Sequence, residues 1–261
     1  MDVAAVETAT RVAALYDVHG NLPALEAVLA EVRRAGAEEV VVGGDVVPGP
    51  MPAECLARLL ALELPVRFLQ GNGEAAVLAE LAGEAPGGLP PQALEAVRWT
   101  AAQLSPEQAR ELALWPPTLR LEVRGLGGVL FCHATPHSDT EIFTRETPEE
   151  RLVPLFAGLG TALVVCGHTH MAFDREIAGV RVVNAGSVGM PFGEPGADWL
   201  LLGPGVEPRH TAYDLAAAAG RIRATAYPQA EDFAARNVLE PPSEAEMIER
   251  FAPAGRSDAS G

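Results

Sequence analysis

Seven side chains able to hold a metal ion follow short apolar runs in this sequence: Asp17, His19, Asp45, Asn72, His133, His168 and His170. Residues 11–16 run into Asp17 and His19, residues 39–43 into Asp45, and residues 66–69 into Asn72. Residues 128–132 run into His133, and residues 163–166 into His168 and His170. Imidazoles at i and i+2 in a loop can converge on one point, whereas on a helix that spacing turns them apart. A single divalent ion takes roughly four to six ligands, so seven candidates from five strand ends suit two ions sharing a carboxylate. Imidazole, carboxylate and amide together suit Mn, Fe, Ni, Co or Zn and disfavour an all-oxygen calcium site. Taken singly, each residue has an ordinary explanation, such as a cap for Asp17 or a turn for Asn72.

These residues meet only if the strands bring their ends to one side of the fold. The first part of the chain alternates strand, loop and helix, the mark of a parallel α/β sheet whose functional loops follow its strands. The late strands, over 173–177 with 180–184 and 199–202 with 207–213, read as hairpins, so two face-to-face sheets are expected. Between about residues 75 and 117 the pattern is helical only and reads as a helical cap. It contains Ser105-Pro106-Glu107-Gln108, a capping box with proline at the first helical position. Thr147-Pro148-Glu149-Glu150 and Ser243-Glu244-Ala245-Glu246 read as further helix caps. One domain is expected over 1–252, with a disordered tail over 253–261.

Composition narrows the function. A hydrophobic content of 48% over 261 residues supports a folded globule. No apolar stretch approaches the roughly 20 residues that span a bilayer. The first ten residues lack a charged-then-apolar leader, so a cytoplasmic location is expected, with no membrane partner. The formal charge of −16 disfavours long nucleic acid, which needs a basic face. Every one of the 19 basic residues is arginine, which excludes Walker-type and Schiff-base lysine chemistry. Cys55, Cys132 and Cys166 are widely spaced and read as buried thiols. A homo-oligomer is compatible with all of this.

Asp17-x-His19, Gly44-Asp45, Gly71-Asn72, His133 and Gly167-His168-Thr169-His170 together resemble the calcineurin-like metallophosphoesterase signature. The order and spacing are most similar to its bacterial and archaeal phosphodiesterase branch, including Asn21-Leu22 and Asn184-x-Gly-Ser-Val-Gly189. The resemblance covers about residues 11–213. It implies a four-layer α/β/β/α sandwich with a helical insertion and a dinuclear centre of two divalent ions, manganese first among them. Asp17, His19 and His170 would hold one ion, Asn72, His133 and His168 the other, and Asp45 would bridge. Asp45 and His133 would then be catalytic as well as ligating, with a metal-bridging hydroxide attacking phosphorus. The expected function is hydrolysis of phosphodiesters, nucleotides or pyrophosphates. A phosphoprotein phosphatase and a non-catalytic protein-binding scaffold of the same fold are the alternatives.

One position departs from that family's pattern. After Gly71-Asn72 most members carry a histidine that protonates the leaving oxygen, and this chain has Gly73-Glu74. Glycine cannot donate a proton, and losing such an acid typically costs ~10²–10⁴ in rate. Glu74 is either a first-turn acid favoured by the helix dipole or a substitute proton donor. Substrates with good leaving groups are therefore expected. Asn21 and His137, the latter four residues past His133, are candidate substrate contacts.

Overall fold

The computed structural model describes residues 8–84 and 87–252. The tail expected at 253–261 lies outside the described residues. In chain order, β1 (Thr8–Ala9) and β2 (Val12–Leu15) lead through α1 (Leu22–Arg34) to β3 (Glu39–Val42). Next come α2 (Pro52–Leu60) and β4 (Val66–Phe68), then α3 (Asn72–Leu81), α4 (Pro91–Gln103) and α5 (Pro106–Leu114). Strands β5 (Thr118–Val123) and β6 (Gly127–Cys132) follow, then α6 (Glu149–Phe156) and β7 (Leu163–Cys166). Two hairpins come after them, β8 (Phe173–Ile177) with β9 (Val180–Asn184) and β10 (Ala197–Leu202) with β11 (Val206–Thr211). The chain continues through α7 (Leu215–Arg223), α8 (Ala230–Phe233), a π-helical turn (Ala234–Leu239) and α9 (Glu244–Phe251).

The strands form two sheets, ordered β1-β5-β6-β7-β9-β8 and β11-β10-β2-β3-β4. Strands β2, β3 and β4 pair in parallel, as do β6, β7 and β9, so the carboxyl ends of each set lie together. The alternation of side chains along a strand then builds the layers. Along β2, Ala13 and Leu15 face the helices α1 and α2, while Val12, Ala14 and Tyr16 face the other sheet. Along β6 and β7, Val129, Phe131, Leu163 and Val165 meet them between the sheets, while Leu130 and Val164 pack outward on Leu152 and Phe156 of α6. Helix, sheet, sheet, helix is thus the order of the layers. β2, β3 and β7 are buried at every position, which is why they read as continuous apolar runs.

Two local expectations change. Ala96, Val97, Leu112 and Trp115 share one core with α1 and α2, and Trp115 stacks on Phe68 at 4.5 Å. The helices over 75–117 therefore extend the outer layer rather than standing off as a separate cap. Thr147 does not cap α6: Pro148 is the N-cap, without a side-chain bond, and Thr147 Oγ1 accepts from the Thr144 amide at 2.9 Å. The capping boxes at Ser105 and Ser243 form as expected. Among the described residues no helix is long and apolar enough to cross a membrane.

Candidate metal centre

The loops after β2, β3, β6 and β7 and the first turn of α3 gather their polar side chains into one buried cluster. Asp17, His19, Asp45, His168 and His170 all adopt positive φ, between 46° and 68°. Among the described residues only Ala178 joins them outside glycine. Left-handed backbone costs a side-chain-bearing residue on the order of 1–3 kcal/mol, and such strain collects where function demands it. The turn aims each side chain back across the strand ends. Gly167 makes the approach possible, because a Cβ there would overlap the Tyr16 ring and Asp17 Oδ2.

Each carboxylate is held by one oxygen and presents the other. Asp17 Oδ2 accepts from the His168 amide at 2.8 Å, and Asp45 Oδ1 from the Gly73 amide at 2.7 Å. Asp45 Oδ2 is then 3.6 Å from His19 Nε2 and 3.6 Å from His133 Nε2. Asp17 Oδ1 lies 3.3 Å from His170 Nε2 and 3.8 Å from His19 Nε2. Asn72 Oδ1 is 3.0 Å from His133 Nε2. The opposite ring nitrogens are anchored on backbone carbonyls: His133 Nδ1 on Gly43 at 2.9 Å and His170 Nδ1 on Met190 at 3.0 Å. A carbonyl can only accept, so each Nδ1 carries a proton and each Nε2 faces the cluster. Asp17, His19 and His170 thus form one metal-capable group and Asp17, Asp45 and His133 a second. His168 belongs to neither; its ring stands edge-on to His133 with centroids 5.1 Å apart.

The electrostatics favour a cation. Asp17 Oδ1 is buried without a hydrogen-bond partner, a cost that native structures seldom leave uncompensated. Burial raises the Asp45 carboxyl well above its ordinary value, and the Asp17 charge adds to that. Burial also works against the Asp17 charge, yet the surrounding imidazoles, His170 first, hold its carboxyl well below the usual range. Burial, with His170 next, lowers His19 to about 3, and burial with His133 lowers His168 to about 4. Neutral imidazoles beside an orphaned carboxylate oxygen are a donor set that fits a divalent transition metal.

Residues 11–202 match the calcineurin-like phosphoesterase superfamily domain. The chain belongs to that family. Among similar proteins is an uncharacterised protein of Methanocaldococcus jannaschii, 28% identical over 178 residues, which are 68% of this chain and 69% of that one. A metallophosphoesterase from Sphaerobacter thermophilus superposes with a TM-score of 0.68 at 26% identity, covering 87% of this chain and 98% of that one. A hypothetical protein from Pyrococcus horikoshii OT3 shares the fold, with a TM-score of 0.72 at 20% identity, covering 90% and 100%. The family is metal-dependent and acts on phosphoester bonds, in keeping with the cluster.

Of the three candidates outside the ligand set, Glu74 and Asn21 take other roles. Glu74 is fully buried, and its carboxylate accepts four backbone N–H groups: Gly71 at 2.8 Å, Asp45 at 2.8 Å, Val46 at 2.7 Å and Val47 at 3.1 Å. Burial pushes it up to about 7, with the Asp45 charge adding, while those four donors pull it down. It clamps the loop after β3 onto α3, so the substitute-acid expectation is corrected to a structural one. Asn21 is also fully buried; it caps α1 at the Ala24 amide and donates to the Gly189 carbonyl at 2.9 Å. Its carboxamide is spent on the fold, which replaces the expected substrate contact. His137 is exposed in a separate groove that it shares with His133, Gln70 and Asp139.

Sequence reasoning missed the supports of the cluster. Asn184, at the end of β9, donates to the Gly167 carbonyl at 2.6 Å and to Thr169 Oγ1 at 3.1 Å, and it accepts from the Gly186 amide. Ser187 Oγ donates to the Asp17 carbonyl at 2.7 Å. Both lie in the motif-bearing loop Asn184–Gly189, whose glycines signalled a turn but not its target.

Proposed function

We propose that this protein is a phosphoester hydrolase using two divalent ions, manganese the first candidate, on phosphodiester or nucleotide-type substrates. Asp17, His19 and His170 would hold one ion, Asn72, His133 and His168 the other, with Asp45 between them. The observation that carries the reading is Asp45 Oδ2, held at 3.6 Å from imidazole nitrogens of both groups. When bound, the ions supply Lewis acidity and a lowered water pKa at the phosphoryl group.

The chain's own residues do the rest. The backbone bonds from Gly73 and His168 fix the two carboxylates, so little reorganisation is needed when substrate arrives. The Gly43 and Met190 carbonyls fix the imidazole tautomers. No proton donor stands at the position after Asn72, because residue 73 has no side chain and Glu74 points into the β3 loop. The leaving oxygen must depart unassisted from that side, which favours acidic leaving groups such as aryl oxides.

The test is turnover of bis(p-nitrophenyl) phosphate by manganese-loaded protein beside chelated protein and an Asp45→Asn variant. Manganese-dependent turnover is expected, falling more than ~100-fold in the variant, beyond the usual effect of losing an outer-sphere support. Absence of metal-dependent turnover in the unmodified protein would instead favour a binding scaffold.

A further inference from the structure

A cavity of about 230 Å³ opens directly beside His19, Asp45 and Asn72. Any group in it is therefore an extension of whatever sits at the metal-capable cluster. One wall is α4, through Ala93, Ala96 and Val97. The facing wall comes from the C-terminal segment, through Tyr227 and Phe233, whose rings pack edge to face at 6.2 Å. Gln229 Nε2 donates to the Gln92 carbonyl at 2.7 Å and ties this segment to α4. Small side chains on one side and aromatic rings on the other leave a slot that suits a flat apolar body.

Away from the cluster its polar groups are sparse and none is basic. Asn237 and Gln229 bring carboxamides, and Asp232 a carboxylate. Asn237 lies in the π-helical turn, a rare geometry that inserts an extra residue and often marks functional positions. The chain has 19 arginines, yet none is among the described residues lining the cavity. Beyond its metal-binding end, the slot would offer a second phosphate or a carboxylate the Asp232 carboxylate and no arginine. Burial raises the Tyr227 phenol to about 12, with the Glu95 and Asp232 charges adding to it.

We infer that the slot between α4 and residues 227–237 takes the organic arm of the substrate, a single uncharged planar ring with an amide-like polar edge. Resting on the phosphoester reading, this narrows the substrate to esters with one phosphoryl group, away from pyrophosphates and dinucleoside polyphosphates. Ala93, Phe233 and Asn237 are the specificity-determining positions.

Calorimetric titration of the manganese-loaded protein with four non-hydrolysable phosphonates tests this. Phenylphosphonate is expected to bind about tenfold more tightly than methylphosphonate, from burial of one ring. The 4-carbamoylphenyl compound should bind more tightly than phenyl. Its near-isosteric 4-carboxyphenyl counterpart should bind at least tenfold more weakly. Ala93→Phe, which fills the slot from a half-exposed position, should bring the phenyl-to-methyl ratio to about one. Asn237→Ala should remove only the carbamoyl advantage. Retention of the phenyl preference in Ala93→Phe, or equal binding of the amide and carboxylate, overturns the inference and leaves the phosphoester reading standing. Failure of every phosphonate, methyl included, overturns both.

Discussion

Restoring a histidine at residue 73 should damage this site rather than improve it. A Cβ built on Gly73 lies inside the van der Waals envelope of the Val47 carbonyl oxygen and 2.9 Å from Asp45 Oδ1. Neither neighbour is a flexible side-chain tip: Val47 is backbone held by Glu74, and Asp45 is the carboxylate between the two imidazoles. Relief requires the first turn of α3 to move, which breaks the 2.7 Å bond from the Gly73 amide to Asp45. A hydrogen bond to a charged group is worth ~1.5–3 kcal/mol and overpacking costs ~1–3 kcal/mol, so the loss is roughly 3–6 kcal/mol. At ~2–4 °C per kcal/mol for a chain of about this size, Gly73→Ala alone should melt about 6–24 °C below the parent by calorimetry. Gly73→His should bind manganese more weakly and show none of the ~10²–10⁴ gain on alkyl esters that a working general acid provides. A Gly73→Ala protein that melts within 2 °C of the parent (about 1 kcal/mol or less), or a Gly73→His protein that hydrolyses alkyl diesters ~100-fold faster, would refute the reasoning.

Asn184→Ala removes three hydrogen bonds that hold the loop carrying His168 and His170. It should cost about 2–4 kcal/mol in urea unfolding and weaken manganese binding roughly 10–100-fold; an unchanged metal affinity would show that the loop holds its shape without this support. For pH, His19 and His168 have folded values of about 3 and 4, below the ordinary imidazole value, because burial excludes their charged forms. Protons therefore bind preferentially to the unfolded chain at these two groups as pH falls from about 6.5 towards 4, and stability drawn from them is lost on acidification. Imidazole carbon shifts followed by NMR in metal-free protein should show both rings still neutral at pH 5, and titration of either near 6.5 would contradict their burial.

Short-range physics made much of this fold legible in the sequence. The short valine-rich apolar runs at 40–42 and 163–166 read as strands covered on both faces. The capping boxes at Ser105 and Ser243 form because their partners are three residues away. The chemistry of the cluster was legible too, since a strand end in a parallel sheet is a fixed place and five such ends carried seven metal-capable side chains.

What a side chain does at its strand end was decided by tertiary structure. Nothing local to Glu74 says that four amides arrive from Gly71 and from the loop after β3, 27 to 29 residues away. Nor does the sequence around Asn21 announce that its carboxamide will be spent on Gly189, 168 residues on. The left-handed backbone at Asp17, His19, Asp45, His168 and His170 has no local signature, because these side chains tolerate it only where surrounding packing imposes it. The slot beside the cluster has two walls more than 120 residues apart in the chain, Ala93 to Val97 and Tyr227 to Asn237. Periodicity, caps and strand ends act over a few residues and can be read in order. Orientation, burial and the pairing of distant loops depend on how the layers close, and only the closed structure carries them.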